Sequence, residues 1–443
     1  MGRKAATSCM MRSGGLSTFG ASPRLGLNAS LRGYAEQAGG SLLAFWHGSA
    51  GLLPTRAAPT TIVPVRSSRR DPRIDVFRGL SLLMIFIDHI PQNVLGVTTL
   101  HNFSFSDAAE VFVLLAGFSS MLAYGGSIER NGWRNGVRRI ALRCGRIYVA
   151  QILLLAVTLG IVQLWAGYFH LRSTPVDPIL RSPGRELIDG LTLLVQPSYL
   201  NILPLYIVLL GAFPLLYWAM RRSPWLALAG SAAIWLFAGM DHGLNLPNWT
   251  DVKVGWYFNP FAWQFLFTIG AVLPRLVGRD GDLPFMRWLA WVSGAYLFVA
   301  FLESTPWTLW GLPNLQLFDI GPLDKTHLAW PRILDILALS YLVLSSKRMR
   351  ALASNHWLRP LEVCGRHSLE VFSVGCILAL LARLAFRTAG MGLEMQVSIN
   401  VIGLGVMCLT GFWLERGRNA KSAVPPRPTL AGAPQGRHWG MTA

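Results

Sequence analysis

RIDVFRGLSLLMIFIDHIP at residues 73–91, followed by FSDAAEVFVLLAGFSSMLAYGG at residues 105–126, decides the fold of this chain. Each stretch belongs to an apolar segment, the first at residues 76–95 and the second at residues 108–124. A helix rises about 1.5 Å per residue and crosses a bilayer with about 20 residues. Both segments are therefore predicted to be membrane-spanning helices.

Ionisable side chains are built into both segments. Arg78, Asp88 and His89 lie in the first segment, and Asp107 and Glu110 begin the second. A charged side chain at the membrane centre costs roughly 2.5–3.5 kcal/mol on insertion scales, and such residues usually mark a functional site. We therefore expect these five residues to serve one site.

Their spacing predicts how they are arranged. Arg78 and His89 are eleven residues apart, which places them on nearly one helix face and roughly 16 Å apart along the axis. Asp107 and Glu110 share a face of the second helix because they are three residues apart. A short connection makes the two helices antiparallel neighbours, so His89 should lie level with both carboxylates. Asp75, three residues before Arg78, is an alternative structural partner for that arginine.

Composition indicates a polytopic helical membrane protein. Of the 443 residues, 52% are apolar and only 14% are charged. Cationic cytoplasmic loops and contact with anionic lipid explain the net charge of +18, and no nucleic-acid-binding motif accompanies it. The five cysteines lack CxxC spacing, so the sequence predicts neither a metal site nor a disulfide framework.

Hydropathy predicts eight further spans, at residues 147–165, 199–218, 225–239, 261–276, 288–301, 329–344, 369–386 and 397–413. Arginine and lysine concentrate before the first span, in the even-to-odd connections and after the last span. The positive-inside rule then places both termini in the cytoplasm, Arg78 near the cytoplasmic face and His89 toward the outer half. The predicted fold class is an all-α polytopic membrane protein with about ten transmembrane helices and both termini cytoplasmic.

Two tails flank the predicted membrane domain, which covers residues 71–415. Residues 1–70 are basic, contain one acidic residue, Glu36, and lack an apolar run of spanning length. This segment is predicted to be a disordered basic tail, with a targeting segment and a mis-assigned start as the two open explanations. Residues 416–443 are predicted to be a disordered, proline-rich cytoplasmic tail.

The opening stretch resembles a known family. The pattern R-x10-H, here Arg78 and His89, is similar to the signature of the membrane acyltransferase-3 superfamily, and the longer quoted stretches resemble its OpgC branch. Three later blocks agree with that branch: NPFAWQFLFTIG at 259–270, KTHLAWPRILDILAL at 325–339 and LEVCGRHSLEVFSVG at 361–375. The resemblance covers about residues 71–413.

This resemblance implies an acyltransferase of the bacterial inner membrane that succinylates periplasmic glucans. It makes His89 the catalytic residue and Arg78 a contact for acyl-CoA entering from the cytoplasm. It implies no permanently bound cofactor, and acyl-CoA, as succinyl-CoA or acetyl-CoA, is a co-substrate. The expected partners are the lipid bilayer, acyl-CoA and a periplasmic glucan or other glycan, with a homo-oligomer left open.

Transfer of an acyl group to a sugar hydroxyl requires a base that removes the hydroxyl proton. His89 fits this role, and a carboxylate is the best partner to orient its second ring nitrogen. Glu110 or Asp107 is predicted to orient the ring from the neighbouring helix. Asp88 points about 100° away from His89 on the same helix and is a weaker candidate.

Later cations are candidates for binding the donor. Arg139, Arg143 and Arg146 suit the phosphates of CoA, although positive-inside charge also explains them. Lys325 and Arg332 are candidates to hold the free carboxylate of a succinyl group.

Three other residues bear on the predicted substrate site. Asp335 lies three residues after Arg332, so it is an alternative partner that neutralises this arginine. Trp263 and Gln264 combine an aromatic face and an amide, which suit a sugar acceptor. An interfacial aromatic belt also explains the tryptophan.

Three other functions remain open at this point. An O-acetyltransferase acting on another glycan or a glycolipid would use the same chemistry. A glycan or lipid transporter would explain the intramembrane charges, but it predicts internal repeats that we do not find. A membrane subunit without catalysis is the third. The G-x-S-x-G nucleophile motif is absent, which favours direct transfer or a transient acyl group on His89.

Overall fold

The computed structural model describes residues 71–170, 188–197, 199–240, 243–248, 254–277, 281–318 and 320–423. Within these ranges every regular element is a helix. The helices are α1 Pro72–Asp88, α2 Ala108–Asn131, α3 Trp133–Phe169, α4 Ile202–Arg222, α5 Pro224–Met240, α6 Pro260–Leu276, α7 Arg287–Ser304, α8 Trp330–Ser345, α9 Lys347–Ala353, α10 Arg359–Arg366, α11 Ser368–Ala389 and α12 Leu393–Ala423.

Each predicted span coincides with one of the long helices α1–α8, α11 and α12. Among the described residues, five helices are long and apolar enough to cross a membrane: α2, α3, α4, α11 and α12. The other long helices are shorter or carry more charge. The all-helical class is confirmed, whereas ten membrane crossings and cytoplasmic termini stay predictions.

Helix α1 ends earlier than predicted. It stops at Asp88 with His89 as the C-terminal cap, whereas the apolar pattern extended the span to residue 95. Pro91 explains the difference, because a proline disfavours the helical conformation of the residue before it. Gln92 then takes a left-handed backbone conformation with φ of +53°, which turns the chain away from the helix axis.

The loop that follows His89 is held by the last long helix. Asn93 and Asn400 of α12 are buried and exchange two hydrogen bonds, with N–O distances of 2.9 and 2.7 Å. The amide of Val94 donates to Oε1 of Gln396, also in α12, at 2.9 Å. Helix α12 therefore fixes the segment next to the predicted catalytic histidine.

Glycine allows two pairs of helices to touch through their backbones. A Cβ on Gly79 of α1 would overlap the carbonyl of Leu361 in α10, and a Cβ on Gly365 would overlap the carbonyl of Asp75. The same reciprocal contact joins Gly117 of α2 to α6. Such close approach is how membrane helices gain dispersion contacts without an aqueous hydrophobic effect.

A fully buried arginine anchors the start of α1. Arg73 pairs with Asp71 at 2.7 Å and donates to the carbonyls of Gly281, Val343 and Leu344 at 2.7, 3.1 and 3.0 Å. The sequence pattern counted this residue among the cytoplasmic loop cations. Its hydrogen bonds hold the start of α1 against the end of α8.

The last helix extends past the predicted domain boundary. Helix α12 continues to Ala423, so residues 416–423 of the predicted disordered tail are helical. Helix-forming residues such as Arg416, Ala420 and Lys421 continue the pattern after Trp413. The rest of that tail and residues 1–70 lie outside the described residues.

Candidate active site

His89 lies at the C-terminal end of α1, half-buried, with its ring edge-to-face against Tyr199. The two ring centroids are 4.6 Å apart. Tyr199 precedes α4 and has a φ of +76°, a conformation that residues other than glycine rarely adopt. Strained backbone of this kind persists where surrounding contacts over-determine it, and it clusters at active sites.

Asp107 and Glu110 form a capping box at the start of α2. Asp107 Oδ1 accepts from the amide of Ala109 at 2.8 Å, and Glu110 Oε2 accepts from the amide of Asp107 at 3.0 Å. This arrangement satisfies two amide groups that have no partner inside the helix. Local sequence therefore sets the position of both carboxylates.

The same two carboxylates bind two cations from a distant part of the chain. Lys325 Nζ pairs with Asp107 Oδ2. Arg332 of α8 donates from Nε to Glu110 Oε1 at 2.7 Å and from Nη2 to Asp107 Oδ2 at 3.3 Å. Since Asp107, Glu110 and Arg332 are all buried, the cluster brings two positive and two negative charges together with little water. Both cations are thus paired with protein carboxylates, and their role in holding a succinyl carboxylate stays a prediction.

Lys325 stays charged in this setting. Burial disfavours its ammonium form, but the Asp107 and Glu110 carboxylates outweigh burial and raise the pKa of Lys325 above its ordinary value. Its ammonium also lies 5.6 Å from the ring centroid of Phe258 and 5.9 Å from that of Tyr257.

Asp335 has different partners from those that the sequence suggested. It is fully buried, and its Oδ2 accepts from Ser104 Oγ, from Ser106 Oγ at 2.5 Å and from the amide of Ser106 at 3.3 Å. The alternative in which Asp335 neutralises Arg332 is therefore wrong, because Arg332 pairs with the α2 carboxylates. The aspartate instead ties α8 to the loop before α2.

The structure brings His89 close to the cluster but not into contact with its carboxylates. His89 lies within electrostatic range of Asp107 and Lys325, and Asp88 lies beside Thr99 and within range of the same pair. In the part of the chain that is described, no hydrogen bond joins the imidazole to Asp88, Asp107 or Glu110. Glu110 instead accepts from the Asp107 amide and from Arg332. Asp107 accepts from the amide of Ala109 and from both cations of the cluster.

Trp263 and Gln264 make structural contacts in α6. Trp263 is 0% exposed and donates its indole N–H to the carbonyl of Lys325 at 3.0 Å. The Gln264 amide donates to the carbonyls of Ser231 and Phe261 at 2.8 and 3.1 Å and accepts from Ser231 Oγ. Their predicted role in binding a sugar finds no support in these surroundings, because the aromatic face is covered and the amide is occupied.

Arg78 lies toward the other end of α1. Its Nη1 is 3.4 Å from Asp75 Oδ1, and its Nη2 donates to the Leu115 carbonyl at 3.4 Å and to Ser119 Oγ. Arg366 of α10 approaches the second oxygen of Asp75 at 3.7 Å. The structural pair between Arg78 and Asp75 therefore exists, and it leaves the Arg78 side chain 14% exposed.

The candidate phosphate-binding arginines lie in the N-terminal part of α3. Arg139 and Arg146 are exposed, and Arg143 is half-buried. Helix α3 has 37 residues and is therefore about 55 Å long, well beyond the roughly 30 Å of a hydrocarbon core. Part of this helix must extend past such a core.

The sequence interpretation missed one residue near His89, Arg383, and did not consider a second imidazole near the charged cluster, His101. Arg383 of α11 lies with its guanidinium carbon 4.1 Å from the ring centroid of Tyr199, on which His89 also packs. A lone arginine inside an apolar run is the signal that would have found it. His101, an exposed imidazole in the loop before α2, lies within electrostatic range of Asp107 and Lys325.

The comparison with protein families matches the same region. A family model described as OpgC protein covers residues 70–419, which include the charged cluster and both ends of α1. A search of curated proteins finds no match. Since the family model covers most of the chain, from the start of α1 to the last turns of α12, the protein belongs to the OpgC protein family.

Proposed function

We propose that this protein is a membrane O-acyltransferase that moves a succinyl group from cytoplasmic succinyl-CoA to hydroxyl groups of a periplasmic glucan. Membership of the OpgC family points to a transferase that modifies glucans. The position of His89 carries the proposal. Its imidazole packs on Tyr199 at the end of α1 and lies within electrostatic range of the Asp107–Lys325 pair.

In the proposed topology the two ends of α1 lie toward opposite sides of the bacterial inner membrane. Ten crossings with cytoplasmic termini place Arg78 near the cytoplasm and His89 in the outer half. The coincidence of every predicted span with a long helix supports this arrangement. A donor from the cytoplasm and an acceptor from the periplasm then meet at His89.

The donor follows the charged face of α1. Exposed and half-buried arginines of α3 bind the CoA phosphates in this proposal, namely Arg139, Arg143 and Arg146. Arg78 contacts the donor further along, and the pantetheine arm covers the roughly 16 Å that separate Arg78 from His89 along the helix.

His89 acts as the general base of the transfer. It removes the proton of the sugar hydroxyl as the oxygen attacks the thioester carbon, a contribution of typically 10²–10⁴-fold. The CoA thiolate leaves and takes the proton from the imidazolium. The edge-to-face contact with Tyr199 holds the ring plane, and the Asp107–Lys325 and Glu110–Arg332 pairs hold α2 and α8 at the site.

Mass spectrometry of periplasmic glucans tests this function. Cells carrying the wild-type gene, its deletion, His89→Ala or His101→Ala are compared, with membrane protein levels measured in each. We expect the succinate mass increment in the wild type and in His101→Ala, and its loss in the deletion and in His89→Ala. His101 is a matched control because it is a second imidazole near the same cluster.

The other results decide against particular parts of the proposal. Succinylated glucan in His89→Ala at normal protein levels would exclude this histidine as the base. An acetate increment in place of succinate would make the enzyme an O-acetyltransferase. Identical glucans in the wild type and the deletion would exclude glucan as the acceptor and favour another glycan, a glycolipid or a transport function.

A further inference from the structure

Arg383 contacts Tyr199, but two of its hydrogen-bond donors are buried without a partner in the described part of the chain. It lies in the second half of α11, where its Nε and Nη1 atoms are inaccessible to solvent and have no hydrogen-bond partner among the described residues. Buried donors of this kind cost roughly 1–3 kcal/mol each, and more for a charged group. Such groups are rare in native structures, and a ligand that satisfies them is one explanation for their presence.

The charge of Arg383 also differs from the other buried cations of the site. Lys325 and Arg332 each pair with a carboxylate of α2. Among the described residues, the titratable groups that face Arg383 are His89, Tyr199, Cys376 and Arg387, none of which is a carboxylate. Arg383 is half-buried, and a desolvated cation that no carboxylate of the described residues pairs loses favourable hydration, which a bound anionic oxygen would offset.

Its position relates directly to His89. The Tyr199 ring lies 4.6 Å from the imidazole centroid and 4.1 Å from the guanidinium carbon of Arg383. These two distances together place the guanidinium carbon within about 9 Å of the imidazole centre, the reach of one reacting group held by both side chains. The Tyr199 ring therefore contacts both side chains.

We propose that Arg383 binds the carbonyl oxygen of the acyl thioester and stabilises the oxyanion that forms there. This inference rests on the proposed acyl transfer. As His89 takes the hydroxyl proton, the sugar oxygen bonds to the thioester carbon, and the C=O π electrons move to the carbonyl oxygen. The Nε–H and Nη1–H groups of Arg383 donate to that oxyanion. The C=O bond then re-forms, the C–S bond breaks, and the thiolate receives the proton from His89.

The distance between His89 and Arg383 favours the reacting carbonyl, rather than the free carboxylate of a succinyl group, as the ligand of Arg383. A base lies about 3 Å from its hydroxyl oxygen, reacting atoms approach to about 3–3.5 Å, and oxyanion donors lie about 3 Å from the oxygen. Those contacts fill the space between His89 and Arg383. The succinyl carboxylate lies three carbon–carbon bonds beyond the reacting carbon, so it would have to fold back to reach the same guanidinium.

Steady-state kinetics of full-length Arg383→Gln separate these roles. The purified protein in detergent is given periplasmic glucan with succinyl-CoA or acetyl-CoA, and release of free CoA thiol is followed. We expect kcat with succinyl-CoA to fall about 10²–10³-fold, as for loss of an oxyanion donor, with little change in KM. Any acetyl-CoA turnover should fall by a similar factor. Arg387→Gln, one turn later and exposed, is the matched control and should retain wild-type kcat.

Thermal unfolding of the same variants excludes a structural explanation. Arg383→Gln removes a desolvated charge that no carboxylate of the described residues pairs, and this gain offsets the lost contact with Tyr199, so its unfolding temperature should stay close to that of the wild type. A clear loss of unfolding temperature would assign Arg383 a structural role and overturn the inference. An unchanged kcat, or a raised KM confined to succinyl-CoA, would also overturn it, the latter in favour of a carboxylate site. If the wild type releases no CoA in the presence of glucan, the proposed function itself fails.

Discussion

We expect the buried ion pair between Arg332 and Glu110 to be strongly coupled in energy, and a double-mutant cycle can measure that coupling. Nε and Oε1 are 2.7 Å apart, and the two side chains are 8% and 0% exposed. Removal of one partner of a buried pair costs about 3–5 kcal/mol because the other charge stays buried and unpaired. After Glu110→Gln, Arg332 keeps Asp107 at 3.3 Å, so we expect the lower limit, about 3 kcal/mol or roughly 10²-fold in the unfolding equilibrium.

The reverse change leaves a buried carboxylate. Arg332→Met takes the cation from Glu110, so we expect a cost of about 3–5 kcal/mol. The double variant removes both charges, and its cost should fall well below the sum of the single costs. The expected coupling energy is about 2–3 kcal/mol, near the upper end for contacting residues.

Reversible unfolding in detergent, followed by helix content against denaturant, measures this coupling. The matched control is the loop pair Asp324–His327, whose carboxylate is 44% exposed, and its coupling should stay under about 1 kcal/mol. Single costs at Glu110 and Arg332 that add within about 0.5 kcal/mol would refute the reasoning. Such additivity would mean that the two charges do not depend on each other.

Two further predictions concern packing and the acceptor. Gly365→Ala should lower the unfolding temperature strongly, because its Cβ would overlap the backbone of Asp75. Gly405→Ala is the control and should be tolerated, because its Cβ meets no heavy atom within 4 Å. Equal unfolding temperatures of the two variants would contradict the close approach of α1 and α10. Gln264→Ala should cost about 1–3 kcal/mol of stability because it removes the hydrogen bonds to Ser231. The KM for glucan should stay unchanged. A raised KM at wild-type stability would instead support the predicted role of Gln264 in sugar binding.

Apolar length and local patterns predicted much of the fold. Each predicted span lies on a long helix, because a run of apolar residues long enough to cross a bilayer leaves the chain few other structures. The apolar run that begins at residue 108 also predicted the start of α2, where Asp107 and Glu110 form the capping box. Pro91 in the sequence would have predicted the early end of α1.

The partners of the charged residues were beyond local patterns. Asp335 was expected near Arg332 on α8, but Arg332 is held by Glu110 of α2, 222 positions away in sequence. The contact of Tyr199 and Arg383 depends on the packing of α11 beside the start of α4 and on a left-handed backbone at Tyr199. Periodicity along a single helix carries no information about such contacts, so ligand sites and internal ion pairs look alike in the sequence.

The exchange of hydrogen bonds between Asn93 and Asn400 has a consequence for biosynthesis. These residues are 307 positions apart, so a ribosome makes the loop after His89 long before it makes the helix that holds the loop. A nascent chain that ends before α12 already contains His89, Arg78 and the α2 carboxylates, yet it lacks the Asn400 and Gln396 side chains that fix the histidine loop. The loop after His89 can therefore take its final position only after α12 has been made.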